Sequence, residues 1–92
     1  MNDVNNLKEL LIMFGYNKED REFSQHYSQK GWPTVVINQA NSTIIISSIT
    51  HIVLRVKFAY AAEAIDYILK VASKKKWLRS ILKCLATAYM PV

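Results

Sequence analysis

Cysteine is nearly missing from this chain. Cys84 stands alone, so no intramolecular disulfide can form and no cysteine-rich metal site can be assembled. Such cysteine usage suits a reducing compartment, and a cytoplasmic protein is expected. Glycine and proline are sparse too, at two each, which leaves no room for a flexible linker or a low-complexity tail. Histidine is limited to His26 and His51. There is no glycine-rich phosphate loop, and no cofactor or metal is expected. Met1 to Asn6 contains no basic segment leading into an apolar run, so no secretory signal is expected.

What remains describes a small folded domain. Of 92 residues, 51% are hydrophobic and 21% charged, a balance that fits a globular fold rather than disorder. One domain is expected over residues 1–92. A chain this short buries only about 60–65% of the surface it exposes when unfolded, so its core is thin. From Gly31 to Leu54 there is no Asp, Glu, Lys or Arg, a run long enough to cross a bilayer as a helix. It contains Pro33, Asn38, Gln39, Asn41 and His51, however, and is β-branched rather than leucine-rich. We read it as buried strand and expect no membrane partner.

The sheet is the most legible part. Thr34 to Phe58 holds thirteen β-branched residues in twenty-five, and such side chains are stiff at χ1 and suit a pleated surface. Strands are predicted at Thr34–Asn38, Thr43–Ser48 and Ile52–Phe58. The polar Gln39-Ala40-Asn41-Ser42 forms the first turn. In the third strand Ile52, Leu54, Val56 and Phe58 share one face, and Val53, Arg55 and Lys57 the other, the pattern of a sheet with one covered and one wet face. The joint at Ser47–His51 reads either as a tight turn or as a bend in one long strand.

Helical periodicity flanks the sheet. Leu7, Leu11 and Phe14, with Leu10, form an amphipathic stripe over residues 4–14, and Gly15 is placed to end it. A second helix is expected over residues 18–29, with Asn17 as its cap and Glu19, Asp20 and Glu22 in its first turn; Glu22–Gln29 reads alternatively as loop or an edge strand. From Ala59 to Tyr89 every residue tolerates helix. Ala61, Ile65, Ile68, Leu69 and Ala72 form one stripe, while Trp77, Leu78, Ile81, Leu82, Leu85 and Tyr89 form another turned well away from it. The change falls across Ser73–Lys76, where the helix either breaks or presents two faces. The expected fold is therefore α+β in the order α-α-β-β-β-α-α, with a small antiparallel three-stranded sheet covered on one face by helices.

Charge is unevenly placed. The formal net charge of +5 divides into −1 over residues 1–30 and +6 over residues 31–92. No acid follows Asp66, so Lys70, Lys74, Lys75, Lys76, Arg79 and Lys83 stand unopposed in sequence. Such asymmetry points to an acidic macromolecular partner, either nucleic acid or an acidic protein complex. The bland alternative is a solvated helix face that only keeps the protein soluble.

The inventory for catalysis is poor. His26, with Arg21 and Glu22 near it in sequence, can be drawn as a general base in a small ribonuclease; an ordinary exposed histidine accounts for it better. Glu63 and Asp66 share a helix face and are explained by the helix dipole and by pairing of Asp66 with Lys70. For protein binding, the expected patch is Trp77, Leu78, Ile81, Leu82, Leu85 and Tyr89, too large to leave exposed without a partner or a second copy. The expected basic surface is Arg55, Lys57, Lys74, Lys75, Lys76, Arg79 and Lys83. A helix, three strands and a helix, with Asn6–Tyr16 and Leu78–Lys83 as the terminal helices, resembles the order in double-stranded-RNA-binding domains and in HicA-type messenger-RNA interferases. The Gly-Ser-His-His type strand of the latter has no counterpart here, and no membership is assigned. These features predict a non-catalytic binding protein, an accessory regulator or inhibitor of the phage- or plasmid-borne kind. Nucleic-acid binding is the alternative and a small ribonuclease toxin the weaker one.

Overall fold

Leu7 and Leu11, one helical turn apart, are both fully buried and anchor the first helix, α1 (Asp3–Met13). The structure, a computed structural model, describes the backbone of residues 3–89 and the side chains of residues 3–75. Gly15 ends α1 at φ +93°. Its N–H donates to the Ile12 carbonyl at 3.0 Å, and the Tyr16 N–H donates to that of Leu11 at 3.0 Å, the paired bonds of a Schellman cap. A Cβ at this position would also lie 2.7 Å from Gln29 Oε1, the amide whose Nε2 donates to the Phe14 carbonyl at 2.9 Å. Glycine is thus required by both backbone and space.

After the cap the chain departs from expectation. Residues 18–29 form no helix. They form an antiparallel hairpin of β1 (Asn17–Asp20) and β2 (Ser24–Ser28). A helix here would have buried only Phe23 and Tyr27. As strands, β2 pairs with β3 (Thr34–Asn38) and sets Tyr27 beside Val35 in the core, while Phe23 stays exposed in the turn. This long-range pairing outweighs the capping signals at Asn17–Glu22, which are worth little each. The sheet then continues through β4 (Thr43–Ser47) and β5 (Ile52–Lys57). All five strands are antiparallel neighbours in the order β1-β2-β3-β4-β5. The three-stranded sheet expected from sequence is therefore the last three strands of five.

The turns follow from local chemistry. Asn38 Oδ1 accepts from the Ala40 N–H at 2.9 Å and the Asn41 N–H at 3.3 Å, an Asx-type turn that lets Ser42 adopt φ 55°. The Ser48 N–H donates to the His51 carbonyl at 2.9 Å, so Ser48–His51 is a tight turn and β4 and β5 are separate strands. A register shift at Ile46/Ser47 marks an irregularity beside it.

β5 passes through a short 3₁₀ turn, Phe58–Tyr60, into α2 (Ala61–Tyr89). The two C-terminal helices expected from sequence are one continuous helix. Lysine is a good helix former, so Ser73–Lys76 shifts the apolar phase without interrupting the backbone. Ala61, Ala64, Ile68 and Ala72 are buried, a spacing of three and four that lays one seam on the sheet. Leu69, expected in that seam, lies off it and is 44% exposed. One cluster joins Ala61, Ala64 and Ile68 of this seam to Leu7 and Leu11 of α1 and to Tyr27, Val35, Ile37, Ile44 and Ile46 of the sheet. Both helices thus cover the same sheet face, giving the order α-β-β-β-β-β-α.

An aromatic group closes one end of this core. Trp32 stacks on Phe14 at a centroid distance of 5.6 Å and meets Tyr16 edge-on at 5.7 Å. Lys75 Nζ sits 5.3 Å above the Trp32 ring, a cation–π contact. The Tyr16 hydroxyl donates to the Pro33 carbonyl at 2.7 Å. Burial pushes the Tyr16 phenol well above its ordinary value, with Tyr67 adding to the effect. Burial, then the Asp20 carboxylate, raises the Tyr27 phenol too.

These shifts predict alkaline instability. Both phenols stay protonated in the fold, whereas in the unfolded chain they ionise near pH ~10. The stability they contribute is complete below that pH and is lost as pH rises toward the folded-state values. The slope reaches at most about 1.4 kcal/mol per pH unit for each phenol. Urea midpoints measured between about pH 9 and about pH 11 should fall, and Tyr16→Phe should flatten the fall. An equal slope in the variant would mean that Tyr16 ionises as easily folded as unfolded.

Candidate interaction surface

Side chains alternate across a strand, so the face turned away from the helices is read from the register. Its central row is Glu19, His26, Val36, Ile45 and Arg55, one residue from each strand. A neighbouring row is Ser24, Asn38, Thr43 and Lys57. This open face has half-buried aliphatics at its centre and opposite charges at its two edges. At the β1 edge the charges are internally matched. Glu19 Oε1 lies 2.6 Å from Arg21 Nε, and Lys18 pairs with Asp20 at 3.5 Å. These partners are two residues apart, the spacing of strand neighbours rather than of a helix.

At the β5 edge the charges are unmatched. Arg55 and Lys57 are exposed, and among the described residues neither belongs to an ion pair. Lys57 Nζ reaches only the Asn41 carbonyl, at 3.5 Å, the outer limit of a hydrogen bond. The two cations border a cleft of about 510 Å³ lined by Asn41, Thr43, Ile45, Arg55, Val56 and Lys57. On the open face Ile45 gives this cleft an aliphatic side chain beside the two cations, while Val56 turns to the helix side of the same edge.

Of the other residues of the expected basic surface, Lys74 and Lys75 do not join this patch. Lys74 lies on α2, in the helix layer, beside a cleft of about 350 Å³ shared with Tyr67, Lys70, Val71 and Ser73. Lys75 is engaged with Trp32. The side chains of Lys76, Arg79 and Lys83, and of Trp77, Leu78, Ile81, Leu82, Leu85 and Tyr89, lie outside the described residues. The expected Asp66–Lys70 pair does not form; among the described residues the ion pairs are the two on the β1–β2 hairpin.

The histidines are not brought together. His26 projects from the open face of β2, its Nε2 3.0 Å from Ser24 Oγ. His51 occupies the β4–β5 turn, its Nδ1 2.9 Å from Thr50 Oγ1. β3 and β4 stand between β2 and β5. Among the described residues no group of three or more His, Cys, Asp or Glu can hold a metal ion, and no helix is long and apolar enough to cross a membrane.

Two features escaped the sequence reading. Ile12 and Met13 of α1 are exposed beside a cleft of about 450 Å³ that also involves Lys8, Glu9, Lys18 and Tyr27. It arises because the β1–β2 hairpin, read as helix, lies next to α1. The second is β5 as a sheet edge, because sequence alone does not say which strands are outermost. Comparison with protein-family models, with curated proteins and with solved structures finds no match.

Proposed function

We propose that this is a non-catalytic cytoplasmic binding protein, an accessory regulator or inhibitor that engages an acidic protein partner through the β5 end of its open sheet face. The observation carrying this reading is the unmatched Arg55–Lys57 pair beside Ile45 at the β5 end of the open face. Acidic partners are steered to such a patch, and Ile45 adds apolar contact area. Nucleic acid is the less favoured partner. Base recognition on an open sheet uses aromatic platforms, and no Phe, Tyr or Trp lies on the open face of the described strands. Trp32 is packed against Phe14, Tyr16 and Lys75.

The test is affinity capture from a lysate of the source cells, with and without nuclease, using the wild type and an Arg55→Glu, Lys57→Glu double variant. A protein retained after nuclease treatment by the wild type, and depleted at least tenfold by the variant, is expected. Capture that vanishes with nuclease, or that ignores the double variant, overturns the reading. Self-association through the C-terminal half of α2 would appear in sedimentation as a dimer unaffected by the double variant.

A further inference from the structure

The ladder phase at β5 shows which backbone groups are free. The Phe58 N–H donates to the Ser42 carbonyl at 2.9 Å, and the register pairs Lys57 with Thr43, Val56 with Ile44 and Arg55 with Ile45. Bonded pairs in an antiparallel ladder recur at every second residue. Val56 and Leu54 therefore bond to β4, and the N–H and C=O of Arg55 and Lys57 point outward from the sheet. β5 is also the longest strand, with six residues. Leu54 and Val56 turn toward the helix side yet remain half-buried, whereas their β4 partners Ile46 and Ile44 are fully buried. The outer margin of the core is thus an apolar shelf with an open backbone ladder above it and two cations on the far side.

The opposite edge differs. β1 has four residues, all exposed, and its Lys18, Glu19 and Asp20 are held in ion pairs on the hairpin, the blunted kind of edge that resists pairing.

We propose that β5 accepts a sixth strand, an extended segment of a partner protein that alternates acidic and aliphatic residues. This rests on the protein-binding reading above and deepens it to a mode and a ligand chemistry. Strand addition satisfies the outward Arg55 and Lys57 backbone groups. Period-two alternation then sends every second side chain of the segment to the open face, opposite Arg55 and Lys57, where carboxylates complement them. The intervening side chains rest beside Leu54 and Val56 and complete the shelf. A second copy is a poorer occupant. β5 against β5 would set Arg55 and Lys57 opposite the same cations, and the acids of β1 are already paired.

The experiment uses the full chain and a blocked twelve-residue peptide of alternating Glu and Val. Controls are its Lys-for-Glu counterpart, a version N-methylated at alternate residues, and a thymidine oligonucleotide. Anisotropy should show the Glu peptide binding at least tenfold more tightly than every control. Amide exchange at saturation should slow at least tenfold at Arg55 and Lys57, with little change at Leu54 and Val56, already bonded to β4. The Arg55→Glu, Lys57→Glu variant should lose the Glu peptide and gain the Lys peptide. Unchanged exchange at Arg55 and Lys57, indifference to N-methylation, or binding of the oligonucleotide alone overturns strand addition. The two cations then serve as guards against edge pairing. If the variant still abolishes nuclease-resistant capture, the binding reading survives and only its mode is lost; if capture is also unaffected, both fail.

Discussion

Replacing Ile46 with alanine should lower the free energy of unfolding by about 2–5 kcal/mol, whereas Ile45→Ala should cost at most about 1.5 kcal/mol. The residues are adjacent and of one type, and only the face they occupy differs. Ile46 is fully buried among the residues joining both helices to the sheet. Truncation removes its contacts and leaves a cavity that a rigid sheet closes poorly. Ile45 lies on the open face beside the Arg55–Lys57 cleft, where water refills much of the space. A domain of this length has about 5–14 kcal/mol in total, so the Ile46 loss is a large fraction of it. Urea unfolding with a constant m-value measures both. Equal losses would mean that the face assigned to a partner is itself covered.

Face assignment was readable because period two is strong in this segment. In Ile52–Lys57 the charges at Arg55 and Lys57 mark the outside directly, and the structure places both on the open face. In β4 no such marker exists, since Ile44, Ile45 and Ile46 are chemically identical; the register against β3 and β5 distinguishes them. β1 was not readable as a strand, and β2 was readable only as the alternative to a helix. Ser24-Gln25-His26-Tyr27-Ser28 offers one large apolar residue, and its stability as a strand comes from β3, ten residues on. The opposite charges two apart at Lys18/Asp20 and Glu19/Arg21 were the available signal, and the acids were read as helix-capping instead. The candidate surface was legible only as side chains. Arg55 and Lys57 stand out in the sequence, but the free backbone ladder beside them exists because nothing pairs beyond β5, a property of the whole topology.

α2 offers the second large effect. Ser73→Pro should destabilise the protein by about 3 kcal/mol or more, and Ser73→Ala by nothing or slightly less than nothing. Ser73 is exposed, so neither change disturbs the core. It lies inside the continuous Ala61–Tyr89 helix, where its N–H bonds to the Leu69 carbonyl. Proline removes that bond and drives its ring against the same carbonyl. The apolar phase change at Ser73–Lys76 makes this position decisive, because a helix that ended there would accept proline in the first turn of its successor. The cost also has a structural echo. Ala72 is the last buried residue of the described seam and Lys75 sits on Trp32, so a kink between them pulls Lys75 from the ring. With Trp77→Phe as the background, Trp32 is the sole tryptophan, and its emission should shift in the proline variant as far-UV helicity falls. Unchanged stability, helicity and emission would mean two helices meeting at Ser73, and would return the residues beyond Lys76 to an independent orientation.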